Sequence, residues 1–150
     1  DHEPVSPAVG YRFSYGGRAL LISGDTSKSD NISRFAEGID LLVHEALSPE
    51  LIGMMEKTMK DLGNDTLAKI MFDIPDYHTS PREAAETARD ASVGHLLYYH
   101  VVPPIIVPGQ ETLWLNGAGD IFPGYTVGYD GVSFSLPANS SEIIQTRKGM

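Results

Sequence analysis

Six side chains in this sequence can bind a metal or move a proton, and their positions suit that chemistry: His2, Asp25, His44, Glu45, His78 and His100. Asp25 follows the apolar run "ALLI" in "SGDT", His44 and Glu45 end "DLLVHEA", and His100 ends "LLYYH". Each therefore lies just past the C-terminal end of a predicted strand. In open α/β sheets that edge is where sites are assembled, because rigid strands deliver residues to converging loops. His78 sits in a loop before a helix N-terminus, where backbone N–H groups favour an anion. The fifth histidine, His95, starts a strand after Gly94 and faces the opposite edge, so it reads as structural.

Asp25 and His100 together offer a mixed N/O donor set that suits Zn, Mn or Fe. One carboxylate shared between two ions also accounts for a metal spacing of about 3.5–4 Å in two-metal hydrolases. His44 and Glu45 are placed to orient a ligand imidazole through a carboxylate or a ring N–H. Taken alone, Asp followed by Thr after a strand equally well forms an Asx-turn with no metal.

The elements that must position these residues are legible. Gly16-Gly17 supplies a tight turn between Val9–Tyr15 and Arg18–Ile22, which predicts an antiparallel hairpin. Leu20, Leu21 and Ile22 read as a strand buried on both faces. Asp30 or Asn31 caps a short helix closed by Gly38. "SPELIGMMEKTMKDLG" reads as a helix from Ser48 to Gly63, with Leu51, Met54, Met55, Met59 and Leu62 on a core-facing stripe. "NDTLAKIMFDI" adds another helix. "SPREAAETARDASVG" is the strongest helix signal, with Ser80 as cap, Pro81 in the first turn and Glu83 at the capping-box position. Asp130-Gly131 predicts a closing hairpin in "YTVGYDGVSFSL", and the polar tail from Asn139 is expected to fray. Strands alternating with helices make this an α/β chain, with one domain over residues 1–138 and a tail over 139–150.

Composition narrows the function. The chain has 150 residues, enough for one core, and a net charge of −9 with its eleven Lys and Arg scattered singly. A nucleic-acid surface spread over the whole fold is thereby disfavoured. There is no cysteine, which removes disulfides, thiolate metal sites and cysteine nucleophiles. No stretch approaches the roughly 18 apolar residues of a spanning helix, so no membrane is expected as a partner. The compartment, cytoplasmic or periplasmic, stays open. The N-terminus "DHEPVSPAVGY" has no signal-peptide pattern and reads like a cut through a longer chain.

In order, "DHEPVSPAVGYRF", "SGDT", "DLLVHEA", "YHTSPREAAETARDA" and "LLYYH" resemble consecutive signatures of the metallo-β-lactamase superfamily. The branch they resemble holds the tRNA 3′-processing endonucleases of the ribonuclease Z type and arylsulfatase-like or phosphodiesterase relatives. The resemblance implies the C-terminal half of an αββα sandwich, with a mixed sheet and helices on one face. It implies a hydrolase with two divalent metal ions, Zn in first place with Mn or Fe as alternatives, whose metal-bound hydroxide attacks a phosphodiester, sulfate ester or related ester. His2, Asp25 and His100 match metal ligands, Asp25 bridging both ions. His78 matches a histidine that contacts the scissile group and protonates the leaving group. His44 and Glu45 match a signature that does not ligate, with Glu45 orienting His78.

Two departures shape the expectation. The family's HxHxDH segment precedes the motif that holds His2, whereas only Asp1 precedes it here. Three of about seven ligands are therefore expected in this chain, which alone would hold metal poorly. The tRNA-processing members also carry an arm between the "GYR" strand and "SGDT", where this chain has a tight hairpin. A small-molecule ester is thus the expected substrate, with a tRNA 3′-processing endonuclease as the alternative enzyme. The non-enzymatic alternative is a half-domain stabilised by self-association, as a homo-oligomer, or by a partner chain.

Overall fold

The computed structural model describes residues 2 and 4–147. Five strands form the main sheet in the order β1 (Tyr11–Tyr15), β2 (Arg18–Ile22), β3 (Leu41–Leu47), β4 (His95–Val102) and β5 (Tyr125–Val127). β1 and β2 form the antiparallel hairpin that Gly16-Gly17 predicts, with Tyr15 opposite Arg18. The pairs β2–β3, β3–β4 and β4–β5 are all parallel, so the sheet is mixed, as the sequence implies.

One face of the sheet carries the helices. α1 (Asp30–Phe35) follows β2, and α4 (Pro81–Asp90) crosses behind β3 and β4. α5 (Gln110–Leu115) and α6 (Ala118–Ile121) complete this layer. Leu21, Leu42 and Leu96, neighbours across three strands, point into it. α4 meets them with Ala84, Ala85 and Ala88, all fully buried, because small side chains let the helix lie close to the strands. Its start is the predicted capping box: Glu83 N–H donates to Ser80 Oγ at 3.3 Å, and Ser80 N–H donates to the Glu83 carboxylate at 2.9 Å. Tyr98 anchors the same end, its hydroxyl donating to the Pro81 carbonyl at 2.9 Å and its ring edge-on to Trp114.

The other face is covered only at its lower end. The sequence predicts one hairpin turning at Asp130-Gly131, but β5 instead pairs with β4, and β6 (Val132–Ser135) pairs with β7 (Ile144–Arg147) as a separate antiparallel sheet. An Asp-Gly turn permits a hairpin without enforcing it, and here β5 takes β4 as its parallel partner instead. The segment expected to fray thus contains a strand; positions 148–150 lie outside the described residues. The small sheet reaches the main one through the His95 and Phe134 rings, 5.3 Å apart, and through Thr126 and Gln145.

α2 (Pro49–Asp61) and α3 (Asp65–Asp73) form an antiparallel pair beyond β3. The Met stripe of α2 is not core-facing as expected. Ile52 turns inward and is buried, whereas Met54 and Met55 are exposed and line a groove with Pro103, Pro104 and Ile106. Leu20 and Ile22 are likewise only half-buried; Leu21 alone in that run is buried.

A single buried cation ties the tail down. Arg18 Nη1 donates to the carbonyls of Ser140 at 2.5 Å, Glu142 at 2.9 Å and Pro137 at 3.4 Å, and Nη2 lies 2.8 Å from Asp40 Oδ1. Burial raises the Asp40 carboxyl, but the Arg18 guanidinium and the Ala19 N–H outweigh it and leave the pKa below the ordinary 3.8. Arg18→Ala should destabilise the protein by about 3 kcal/mol in urea titration, because it leaves Asp40 and three carbonyls without their partner. The depressed Asp40 pKa contributes stability above pH 3.8 that is lost as pH falls through the folded value; Asp40→Asn should flatten that part of the acid-unfolding curve.

Candidate metal centre

The C-terminal edge of the sheet gathers four of the six residues. His2 enters from the chain before β1, held by a short bridge to Val5. Asp25 leaves β2 through Ser23 and Gly24. Gly24 is required there: its φ is +66°, and a Cβ would fall 2.4 Å from the Val9 carbonyl. His78 follows the 3-10 turn Ile74–Tyr77. Donor atoms of His2, Asp25 and His78 all lie within 4.8 Å of one another. His100 joins them from β4, its Nε2 3.5 Å from Asp25 Oδ2 and its ring 5.7 Å from that of His78.

His100 reaches this position by a backbone irregularity that the sequence does not reveal. Glu45 pairs with Tyr99 and Ala46 with Val101, so His100 is the extra residue of a β-bulge. Its φ is +45°, in the left-handed region that non-glycine residues seldom occupy. Neither strand ends at its histidine, as the sequence reading expects: β3 continues to Leu47 and β4 to Val102. The bulge, not the strand end, turns His100 toward Asp25.

Glu45 organises the floor. It is fully buried, and its Oε1 accepts from the N–H of Thr26 at 3.2 Å and of Thr79 at 2.9 Å. Its Oε2 lies 3.2 Å from His78 Nδ1, which donates, because an ionised carboxylate only accepts. That bond leaves His78 Nε2 free to face the cluster. Burial lowers the His78 pKa, yet the hydrogen bond and charge of Glu45, with Asp25 beyond, more than reverse it, so the ring sits above the ordinary 6.5. Thr79 adds a cross-tie, its hydroxyl donating to the Thr26 carbonyl at 2.6 Å.

His44 points the other way. Successive strand residues face opposite sides, so His44 lies on the helix-covered face with Tyr98 opposite it. It is fully buried, its Nδ1–H donates to the Glu45 carbonyl at 2.7 Å, and burial pushes its pKa down. His95, read as structural, lies at the far end of β4 with its Nε2 2.9 Å from Thr126 Oγ1.

The donor set fits a divalent cation. Imidazole nitrogens and a carboxylate converge at ligand spacing, and His2 Nδ1 is buried with no hydrogen-bond partner among the described residues, a lone pair that a cation would satisfy. A buried carboxylate behind one imidazole is the usual support for such centres.

A mixed sheet with helices on one face and a His/Asp cluster at its C-terminal edge make this an α/β protein with a candidate metal centre. Comparison with known proteins carries this further. Ribonuclease Z of Mycobacterium bovis (strain BCG / Pasteur 1173P2) is 37% identical over 124 residues, 83% of this chain and 40% of that protein. Ribonuclease Z of Mycobacterium tuberculosis (strain H37Rv) is 36% identical over 124 residues, 83% of this chain and 41% of that protein. The crystal structure of the metallo-β-lactamase fold protein YhfI from Bacillus subtilis aligns at TM-score 0.49 and 20% identity, over 76% of this chain and 38% of that one. No family model matches the chain. The chain belongs to the metallo-β-lactamase superfamily, on its ribonuclease Z-like side. It spans about 40% of the length of the curated relatives it matches.

The bulge makes a prediction that separates backbone from side chain. His100→Gly should hold or raise thermal stability, by up to about 1 kcal/mol, because glycine accepts the positive φ that strains histidine. The same change at Tyr99, in regular strand geometry, should lower it. Loss of stability in His100→Gly as large as in Tyr99→Gly would show that the bulge is not strained.

Proposed function

We propose that this chain carries part of a divalent-metal hydrolase centre that cleaves phosphodiesters, with RNA as the substrate class. The observation that carries the reading is the convergence of His2, Asp25 and His78 donor atoms within 4.8 Å, with His100 beside Asp25. The ribonuclease Z relatives support a phosphodiester over a sulfate ester, and RNA over a small ester.

In this reading His2, Asp25 and His100 would hold the divalent metal. The N/O donors suit Zn first, and Mn or Fe as alternatives. Bound ions supply Lewis acidity and an activated water. His78 keeps its proton through Glu45, and its Nε2 faces an ester bound beside Asp25, where it protonates the leaving oxygen. Glu45 is a positioning residue: its carboxylate holds His78 and two loop amides and acts on the reaction only through His78. His44 acts at one further remove, by fixing the Glu45 carbonyl.

One observation favours a smaller phosphodiester. The Gly16-Gly17 hairpin joins β1 to β2 directly, at the place where tRNA-processing members carry their arm, and the net charge is −9. Side-by-side turnover of a 3′-extended RNA and bis(p-nitrophenyl) phosphate decides between the two.

The metal centre itself is tested without turnover. Zinc at 100 times its dissociation constant should stabilise the full chain by about 2.7 kcal/mol in thermal unfolding, and His2→Ala or Asp25→Ala should abolish the shift. A zinc-dependent shift that His2→Ala and Asp25→Ala both leave unchanged would remove the basis of the reading.

A further inference from the structure

A cavity of about 410 Å³ opens beside the metal cluster, between β1 and α1, and Asp25 forms part of its wall. Its size falls within the range of about 300–1,000 Å³ common for small-ligand pockets. The floor is apolar, made by Leu21, Ile32 and Phe35, and the rim carries two cations, Arg12 and Arg34.

These two arginines, like Lys57, Arg82 and Arg147, form no ion pair among the described residues. Arg18, Lys28, Lys60, Lys69 and Arg89 each lie against a carboxylate. Neither Arg12 nor Arg34 does so among the described residues, although the chain has twenty acidic side chains to eleven basic ones. Arg34 is nonetheless held in place: its guanidinium carbon stands 4.7 Å from the centroid of the Phe35 ring, and its Nη2 donates to Asn31 Oδ1 at 3.3 Å. Arg12 reaches the same cavity from β1, where it pairs with Leu21 and so shares the helix-side face of the sheet.

We propose that this cavity is a binding subsite for a nucleoside monophosphate unit, holding the nucleotide next to the scissile bond. The inference rests on the phosphodiesterase reading above for its place in the reaction, but its chemistry stands on the cavity. Guanidinium groups bind phosphate through paired N–H donors, and an unpaired one has that capacity unspent. A flat base gains from an apolar floor and from stacking against an aromatic ring or a guanidinium plane. The cavity supplies both functions, and Asp25 is common to its wall and to the cluster. A sulfate ester of a small alcohol would use the cations and leave the apolar floor empty.

The test uses the full chain with EDTA present, so that metal plays no part. Adenosine 5′-monophosphate is titrated while backbone amide resonances are followed, with adenosine and inorganic phosphate as separate arms. Saturable shifts are expected over residues 29–35 and at Gly10, with each half-ligand binding more weakly than the whole. Arg12→Gln and Arg34→Gln should each weaken binding about tenfold, the loss of one charge-assisted contact. Both side chains are exposed, and both variants should keep the unmodified response to zinc. No saturable shift, or binding unchanged in both variants, overturns the proposal. Equal binding of phosphate and the nucleotide would reduce the cavity to an anion site and overturn the nucleotide assignment. Nucleotide binding beside a zinc response that His2→Ala and Asp25→Ala leave unchanged would sink the metal reading and leave the subsite standing; a zinc response that both variants abolish, without nucleotide binding, would do the reverse.

Discussion

Glu45 is a fully buried carboxylate whose two oxygens accept from Thr26 N–H, Thr79 N–H and His78 Nδ1–H. These three donors belong to two loops far apart in the sequence, Thr26 to the one after β2 and His78 with Thr79 to the one between the 3-10 turn and α4. A charge with no access to water is tolerated only when its lone pairs are filled, so the loops cannot drift without a large cost. The Asp25 and His78 positions both follow from this. Asp25 precedes Thr26 and His78 precedes Thr79, and each is carried to the cluster by the amide next to it. The Thr79–Thr26 hydrogen bond closes the same ring of contacts without using Glu45.

The strand carrying Glu45 serves both faces of the sheet. Leu42 and His44 look into the helix layer, where α4 lies close because its inward residues are alanines. Leu41 and Glu45 look the other way. On that second face Tyr11, Phe13 and Tyr15 are exposed and Leu20, Ile22, Val43, Leu97 and Tyr99 are only half-buried. An apolar sheet face of this kind packs against another layer in α/β folds, and in the αββα sandwich that layer is a second sheet. The small β6–β7 sheet covers only the end near His95, away from the cluster.

The His/Asp cluster and the cavity beside it have opposite chemistry. His2, Asp25, His78 and His100 gather imidazoles and a carboxylate, whereas the adjoining cavity has an apolar floor and guanidinium groups that form no ion pair among the described residues. Asp25 borders both, which is why the residue after Gly24 matters. A side chain on Gly24 would collide with the Val9 carbonyl and displace Asp25 from both.

What the sequence determined by itself was local. Gly16-Gly17 dictated a hairpin, Ser80 with Glu83 dictated the start of α4, and the apolar runs before Asp25, Glu45 and His100 dictated strands, because each signal acts within a few residues. The ordered motifs also pointed to the superfamily, and the convergence of His2, Asp25, His78 and His100 agrees with it. Tertiary structure decided the rest. The bulge at His100 depends on the register between β3 and β4, which no single segment encodes. β5 took a parallel partner and β6 took β7, because pairing energy depends on which edge is available and not on the turn between them. Ile52 won the core from the Met stripe for the same reason: helical periodicity names a face, and only the neighbouring strand and loop decide which face is buried. His44 and Glu45 are adjacent in the sequence, yet the alternation of β3 sent one to the helix layer and the other to the metal edge.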